Sequence, residues 1–234
     1  MLEWSDAIQT ESSLAADLIV GAELDTAVPT CPDWTLRDLV VHLGRVQRFW
    51  AANVRAGDPD RPAIVEGDPD RPADHRPPDD GLSGWMRAST ALLLAALAET
   101  DADSPCWTWW GPPLTCGAVA RHQVQEVAVH RWDGQHALGS PAPIDAAVAH
   151  DGVAEFLEIV VGAAADRLLG SLTLVSDDGD GEWIVGDQRG AGAVVTTSAS
   201  DIVLVLYGRL PPTAVRVEGN PALFQDLLDL VSTD

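Results

Sequence analysis

Between Thr35 and Gly57 the chain runs "TLRDLVVHLGRVQRFWAANVRAG", with no proline and with Leu36, Leu39, Val40, Leu43, Val46 and Trp50 recurring at intervals of three and four. That spacing puts the six side chains on one arc of a long α-helix. Such a helix takes its stability from packing, so other elements must cover its apolar arc. The chain supplies them. Residues 3–27 carry Ile8, Leu14, Leu18 and Ile19 at helical spacing, and "LSGWMRASTALLLAALAET" predicts a third helix over 82–100. Asp33 or Thr35 caps the helix that carries the arc, and Gly57 ends it. Thr115 opens a fourth helix that ends near Gly139. Residues 1–140 therefore read as a four-helix bundle.

The connections are of two kinds. Residues 57–81 contain "GDPDRPA" twice, at 57–63 and 67–73, with Asp-Pro and Pro-Pro steps that forbid helix. This is a long loop, and His75 within it is expected to be solvated. "DADSPCWTWWGPPLT" is an irregular aromatic connection, and Trp107, Trp109 and Trp110 are expected to plug a bundle end rather than wall a pocket. "SPAPID" reads as a linker. Beyond it the pattern changes: "DGVAEFLEIVVGAAA" looks helical, and "SLTLVSDD", "GEWIVGD", "GAVVTTSA" and "TAVRVEG" look like strands. A helix capped by Ser200 or Asp201 lies before the last strand, and "NPALFQDLLDLV" starts with an Asn cap and Pro at its first position. Residues 147–234 are expected to form a small α+β domain with an antiparallel sheet, which makes the fold class α+β.

Charge excludes several functions. The formal net charge is −22. Residues 1–140 hold 10 arginines against 21 acids and residues 141–234 hold 4 against 15, so neither part offers a basic face to nucleic acid. No run of about 18 apolar residues exists, so no membrane-spanning helix is expected. The first residues lack a basic region followed by an apolar one, which points to a cytoplasmic protein. Lysine is absent, so lysine-base and Schiff-base chemistry is excluded. Cys31, Cys106 and Cys116 form no CxxC pair, which fits a reducing compartment and argues against a disulfide scaffold.

The chemistry concentrates in "RHQVQEVAVHRWDGQHALG", residues 121–139. Glu126 and His130 are four apart, so their side chains lie about 40° from each other, one turn apart on the inward face. A carboxylate buried there needs a compensating charge, and a bound cation supplies one. His42 falls inside the apolar arc of the second helix, between Val46 and Phe49. Two histidines and one glutamate on two helices make a three-ligand site with an open position, the catalytic pattern. Spacing alone leaves alternatives. Glu126 and His130 also make an ordinary i,i+4 ion pair, and His122 is spaced to replace His42. Asp133 shares the face and either orients His130 from behind or caps the helix end in solvent.

At this point the motifs resemble a family. "VPTCPDWTLRDLVVHLG" followed by "VQEVAVHRWDGQHALG" resembles the mycothiol-dependent maleylpyruvate isomerase family, a branch of the DinB-like four-helix-bundle superfamily. The element "LVLYGRLP" is similar to that family's C-terminal W-L-x-G-R. The resemblance implies zinc on His42, Glu126 and His130, mycothiol as thiol cosubstrate, and Arg209 as a residue near the active site. It implies that zinc lowers the thiol's pKa, and that the thiolate adds to an activated double bond and leaves after rotation, or stays attached in an S-transferase. Arg209 or Arg131 is available for a substrate carboxylate, with Arg131 expected at the surface. The implied partners are a small-molecule substrate and a low-molecular-weight thiol, without nucleic acid or membrane, on a monomer or small homo-oligomer. Two other readings compete: a 2-His-1-carboxylate iron enzyme, and a non-catalytic metal-binding or stress protein on the same bundle.

Overall fold

Thr35 decides where the second helix begins. Its hydroxyl accepts from the Asp38 N–H at 3.3 Å, while its own N–H donates to the Asp38 carboxylate at 3.0 Å, a reciprocal cap. Gly57, in a left-handed conformation, ends the helix. The computed structural model describes residues 2–63, 78–187 and 192–231; His75 and the second "GDPDRPA" lie outside them. The chain divides into two units, Met1–Ala142 and Pro143–Asp234.

The first unit holds α1 (Trp4–Asp17), α2 (Leu36–Ala56), α3 (Leu82–Ala98) and α4 (Cys116–Ala137). α1 and α2 each pack on both α3 and α4, so the four helices close a ring around one core. Ala16, Ile19, Leu36, Leu39, Leu43, Met86 and Val127 lie in that core. Close approach is built in: a Cβ on Gly134 of α4 would meet Leu18 Cδ1 at 2.5 Å and Leu39 Cδ2 at 3.1 Å. Helices α2 and α4 start alike. Each follows a short bridged turn, Ala27 with Thr35 and Pro105 with Thr115, and each is capped by the threonine that closes it.

The first helix is shorter than its periodicity predicts, ending at Asp17 rather than near residue 27. Gly21, at φ +77°, turns the chain, and Ala22 and Leu24 fold back against the core. Apolar spacing marks burial, and here a turn rather than a helix performs it.

The second unit begins with α5 (Ala146–Phe156), which continues through one π-helical turn, Leu157–Val161, and a 3-10 segment, Gly162–Arg167. Next come β1 (Ser171–Ser176), β2 (Glu182–Gly186), β3 (Gly192–Thr197), α6 (Ala199–Leu206), β4 (Arg216–Gly219) and α7 (Pro221–Val231). The α+β class stands, but the sheet is mixed rather than wholly antiparallel. Its order is β2-β1-β3-β4, and β1 and β3 run parallel. Ser171 pairs with both Gly186 and Gly192, so β2 ends and β3 begins at the same end of β1. β1 thus lies between two strands that would otherwise form a hairpin. Alternation reveals a strand's buried face, not its neighbours. The α6 cap is Ser198, whose hydroxyl accepts from Asp201 N at 3.1 Å, not Ser200 or Asp201. Among the described residues no helix is long and apolar enough to cross a membrane.

Candidate metal centre

The segment between α1 and α2 folds into a tight turn. Val28 N donates to Trp34 O and Leu36 N to Thr26 O, both at 2.9 Å. Asp33 sits at φ +67°, a left-handed conformation that aspartate tolerates better than most residues. The turn delivers Thr30, Cys31 and Trp34 onto His130 and Asp133 in the C-terminal third of α4.

His130 of α4 is held at both ring nitrogens. Its Nδ1 lies 2.8 Å from Asp133 Oδ2 and its Nε2 3.6 Å from Glu126 Oε1. Asp133 is fully buried and also accepts Thr30 Oγ1 at 2.6 Å and Cys31 Sγ at 3.4 Å. A proton on Nδ1 satisfies Asp133, so Nε2 is the nitrogen that can give up its proton to an ion beside Glu126. From α2, His42 Nε2 lies 2.8 Å from the same Glu126 oxygen. Trp34 covers the pair, with ring centroids 4.7 Å from His42 and 5.7 Å from His130.

One donor atom from each of His42, Glu126 and His130 lies within 4.8 Å of the others. Ligands on a tetrahedral zinc, with bonds of about 2.0–2.1 Å, stand about 3.3 Å apart. The two separations from the Glu126 oxygen, 2.8 and 3.6 Å, lie on either side of that edge, so these residues could hold a metal ion. The group is walled by Trp34 yet reachable, because the side chains of His42 and Glu126 remain 26% and 21% exposed. Cys31, His130 and Asp133 form a second cluster that shares His130 through Nδ1. Because Asp133 already engages that nitrogen, this cluster supports the first rather than competing with it.

The electrostatics agree. Burial pushes the Glu126 carboxyl up, but the charge of His130, the hydrogen bond with His42 and the charges of His42 and His122 hold it well below the usual carboxylate range. Burial pulls the His130 imidazole down, yet the Glu126 charge and the bonds to Asp133 and Cys31 raise it to about 10. Without a cation the site is an ion pair, and an incoming cation must displace the His130 proton.

Other expected residues lie elsewhere. His122 does not replace His42: it sits among Trp110, Trp109 and Trp50, at centroid distances of 4.6, 5.7 and 6.5 Å. His136 stacks on Trp132 near the end of α4. Arg131 is not at the surface. It is 2% exposed, with Nε 2.7 Å from Glu11 Oε2 and NH1 on Gln135 and the Ala142 carbonyl. One step off the ligand face proves to be the α1 interface. Arg209 lies in the second unit, where it donates to the Tyr207 carbonyl at 2.8 Å and lines a groove with Gln225 and Asp229. Arg45, three residues after His42 on α2 and half-buried, was not singled out by the sequence and makes no hydrogen bond or ion pair with any described residue. Its signal was its position, three after His42 and four before Phe49.

Two family models match the chain: "Mycothiol maleylpyruvate isomerase N-terminal domain" over residues 5–134 and "MDMPI C-terminal domain" over residues 147–226. Two crystal structures of the mycothiol-dependent maleylpyruvate isomerase share the fold. A point mutant is 16% identical, covering 92% of this chain and 91% of its own at a TM-score of 0.71. The other is also 16% identical, with 88% of each chain covered and a TM-score of 0.64. No curated protein matches the sequence.

Proposed function

The chain belongs to the mycothiol maleylpyruvate isomerase family, and on that premise we propose that it is a zinc-dependent enzyme that uses the thiol of mycothiol on a small electrophilic acid. The observation that carries this reading is the convergence of His42, Glu126 and His130 donor atoms from two helices. A divalent ion on those donors supplies a positive charge that lowers a thiol's pKa and makes thiolate available at neutral pH. The chain's own residues prepare that position. Asp133 engages Nδ1 of His130, so Nε2 is the nitrogen left for the ion. Thr30 and Cys31 hold Asp133. Trp34 shields one side and leaves approach to the other.

The protein contributes no nucleophile of its own in this reading. The thiolate adds to a double bond conjugated with a carbonyl, the new single bond rotates, and elimination returns the thiol with trans geometry. Where the enolate formed by the addition takes a proton at carbon from solvent instead of eliminating, the same addition is an S-transfer. Arg45 suits a substrate carboxylate better than Arg131, which Glu11 already occupies. Residues 1–140 carry this chemistry, with 147–234 as an accessory domain. For Arg209 the support is the family likeness of "LVLYGRLP".

The test is turnover of maleylpyruvate by the zinc-loaded protein with mycothiol, glutathione or bacillithiol. Isomerisation with mycothiol alone is expected. No turnover with mycothiol, or equal turnover by metal-stripped protein, overturns the proposal.

A further inference from the structure

Trp109 is 57% exposed although the indole is among the most apolar side chains of the chain. It stands at the tip of a tight turn. Thr108, 4% exposed, donates its hydroxyl to the Gly111 carbonyl, and Gly111, at φ +86°, closes the turn. The arms are fixed by the Pro105–Thr115 bridge and by Cys106 N donating to Leu114 O at 3.0 Å. The ring itself is braced edge-on, 5.3 Å from Trp110 at 90° and 5.7 Å from His122 at 74°. Beneath, Trp50 is 3% exposed and 5.6 Å from Trp110. Trp50 plugs the bundle, so Trp109 adds little to the core and instead presents a fixed aromatic surface. One exposed indole is ordinary by itself; here it adjoins a second indole and an imidazole held in place with it, a surface on which a flat apolar face can stack.

Its position says which. His42 meets His130 at one point along α2 and α4, and Trp50 meets His122 at another, so the two helices run antiparallel. These two meeting points are eight residues apart on each helix, about 12 Å along the axis, with Glu126 halfway between them on α4. Mycothiol is an N-acetylcysteine amide-linked to a glucosamine that carries an inositol. From its sulfur to the glucosamine ring is about 6 Å of covalent chain. With the sulfur at the metal centre, the glucosamine lies part of the way along that span and the inositol beyond it, within reach of the platform. They are uncharged, as suits a protein of net charge −22. Their C–H faces stack on indoles and their hydroxyls accept from N–H donors. Trp110 Nε1 is a buried donor with no hydrogen-bond partner.

We infer that Trp109 and Trp110, braced by His122, form the subsite for the polyol half of mycothiol. This rests on the thiol reading above.

The test compares mycothiol with N-acetylcysteine used as its methylamide, which has the same thiol and neutral amide and no polyol, on zinc-loaded protein and on Trp109→Ala and Trp109→Phe. Equilibrium binding and steady-state turnover are both measured. Mycothiol is expected to bind the parent protein at least about tenfold more tightly, the factor of a ~1.4 kcal/mol contact. Trp109→Ala should erase most of that advantage and leave N-acetylcysteine binding and zinc content unchanged, while Trp109→Phe restores it in part. If mycothiol supports turnover but its advantage survives Trp109→Ala, the subsite is wrong and the thiol chemistry stands. If no thiol supports turnover yet the advantage exists and is lost in Trp109→Ala, the subsite stands and the reaction is wrong. Equal binding of the two thiols to the parent protein overturns the subsite.

Discussion

Replacing Asp133 with asparagine probes the link between the α1–α2 turn and the metal centre. The substitution keeps the volume of a side chain that is fully buried. It removes the negative charge behind His130 and leaves one acceptor oxygen for three donors, at 2.6, 2.8 and 3.4 Å. If that oxygen stays with Thr30, the new NH2 replaces the oxygen that Cys31 and His130 share, faces His130 Nδ1 and drives the ring proton to Nε2, where an ion must bind. If the amide flips, the His130 bond survives without its charge. Either way the ligand is weaker. Loss of such a partner lowers metal affinity about 10–100-fold, or ~1.4–2.7 kcal/mol, and full burial places Asp133→Asn in the upper half of that range. Competition against a zinc chelator at fixed pH reads the change, with the thermal melt of the metal-free variant as folding control. Zinc affinity within twofold of the parent, in a folded variant, would refute the reasoning. Thr30→Val removes one of the three donors and should have a smaller effect in the same direction, reversed by Thr30→Ser.

The site's charge state gives further predictions. The His130 pKa is raised from 6.5 to about 10, so its contribution to the metal-free protein is complete below pH 6.5 and is lost as pH rises through about 10. The melting temperature of the stripped protein should therefore fall between pH 7 and 10 more than that of the zinc-loaded protein. Zinc binding near neutrality should release about one proton, read by calorimetry in buffers of different ionisation enthalpy; no buffer dependence would contradict the ion pair. Arg131→Met leaves Glu11 charged and buried and should destabilise by about 3–5 kcal/mol. Pairing it with Glu11→Leu should recover most of that loss, with kcat/KM at the parent level; a specific loss of turnover in the stable double variant would return Arg131 to the site. Arg45→Met should raise KM for an acidic substrate about 10–100-fold, the worth of one hydrogen bond to a charged group, with zinc affinity unchanged.

What the sequence made legible followed from local geometry. The 100° advance along α4 put Glu126 and His130 on one face; spacing left His42 and His122 both open as the third ligand, and the family resemblance chose His42, whose Nε2 lies 2.8 Å from Glu126. The family motifs are intelligible in the same terms. In "CPDWT" the cysteine and tryptophan reach His130, and the threonine caps the helix that carries His42. The rest lay in contacts about a hundred residues apart. Nothing in periodicity joins Thr30 to Asp133 or Arg131 to Glu11. The parallel pairing of β1 with β3 was hidden for a similar reason, since alternation is the same whichever way a neighbouring strand runs. Trp109 was expected in a bundle plug because indoles usually bury; the turn from Thr108 to Gly111 keeps it out.

The central claim is that His42, Glu126 and His130 jointly hold the ion on which thiol chemistry depends. It is tested most directly by zinc content and affinity, measured alongside mycothiol-dependent turnover, in the parent protein and in His42→Ala. The account predicts one zinc per chain in the parent and turnover that vanishes on stripping and returns with zinc. It predicts a folded His42→Ala that has lost both tight zinc and turnover. Stoichiometric zinc at undiminished affinity in His42→Ala, or iron in the parent with oxygen-dependent turnover, would contradict it.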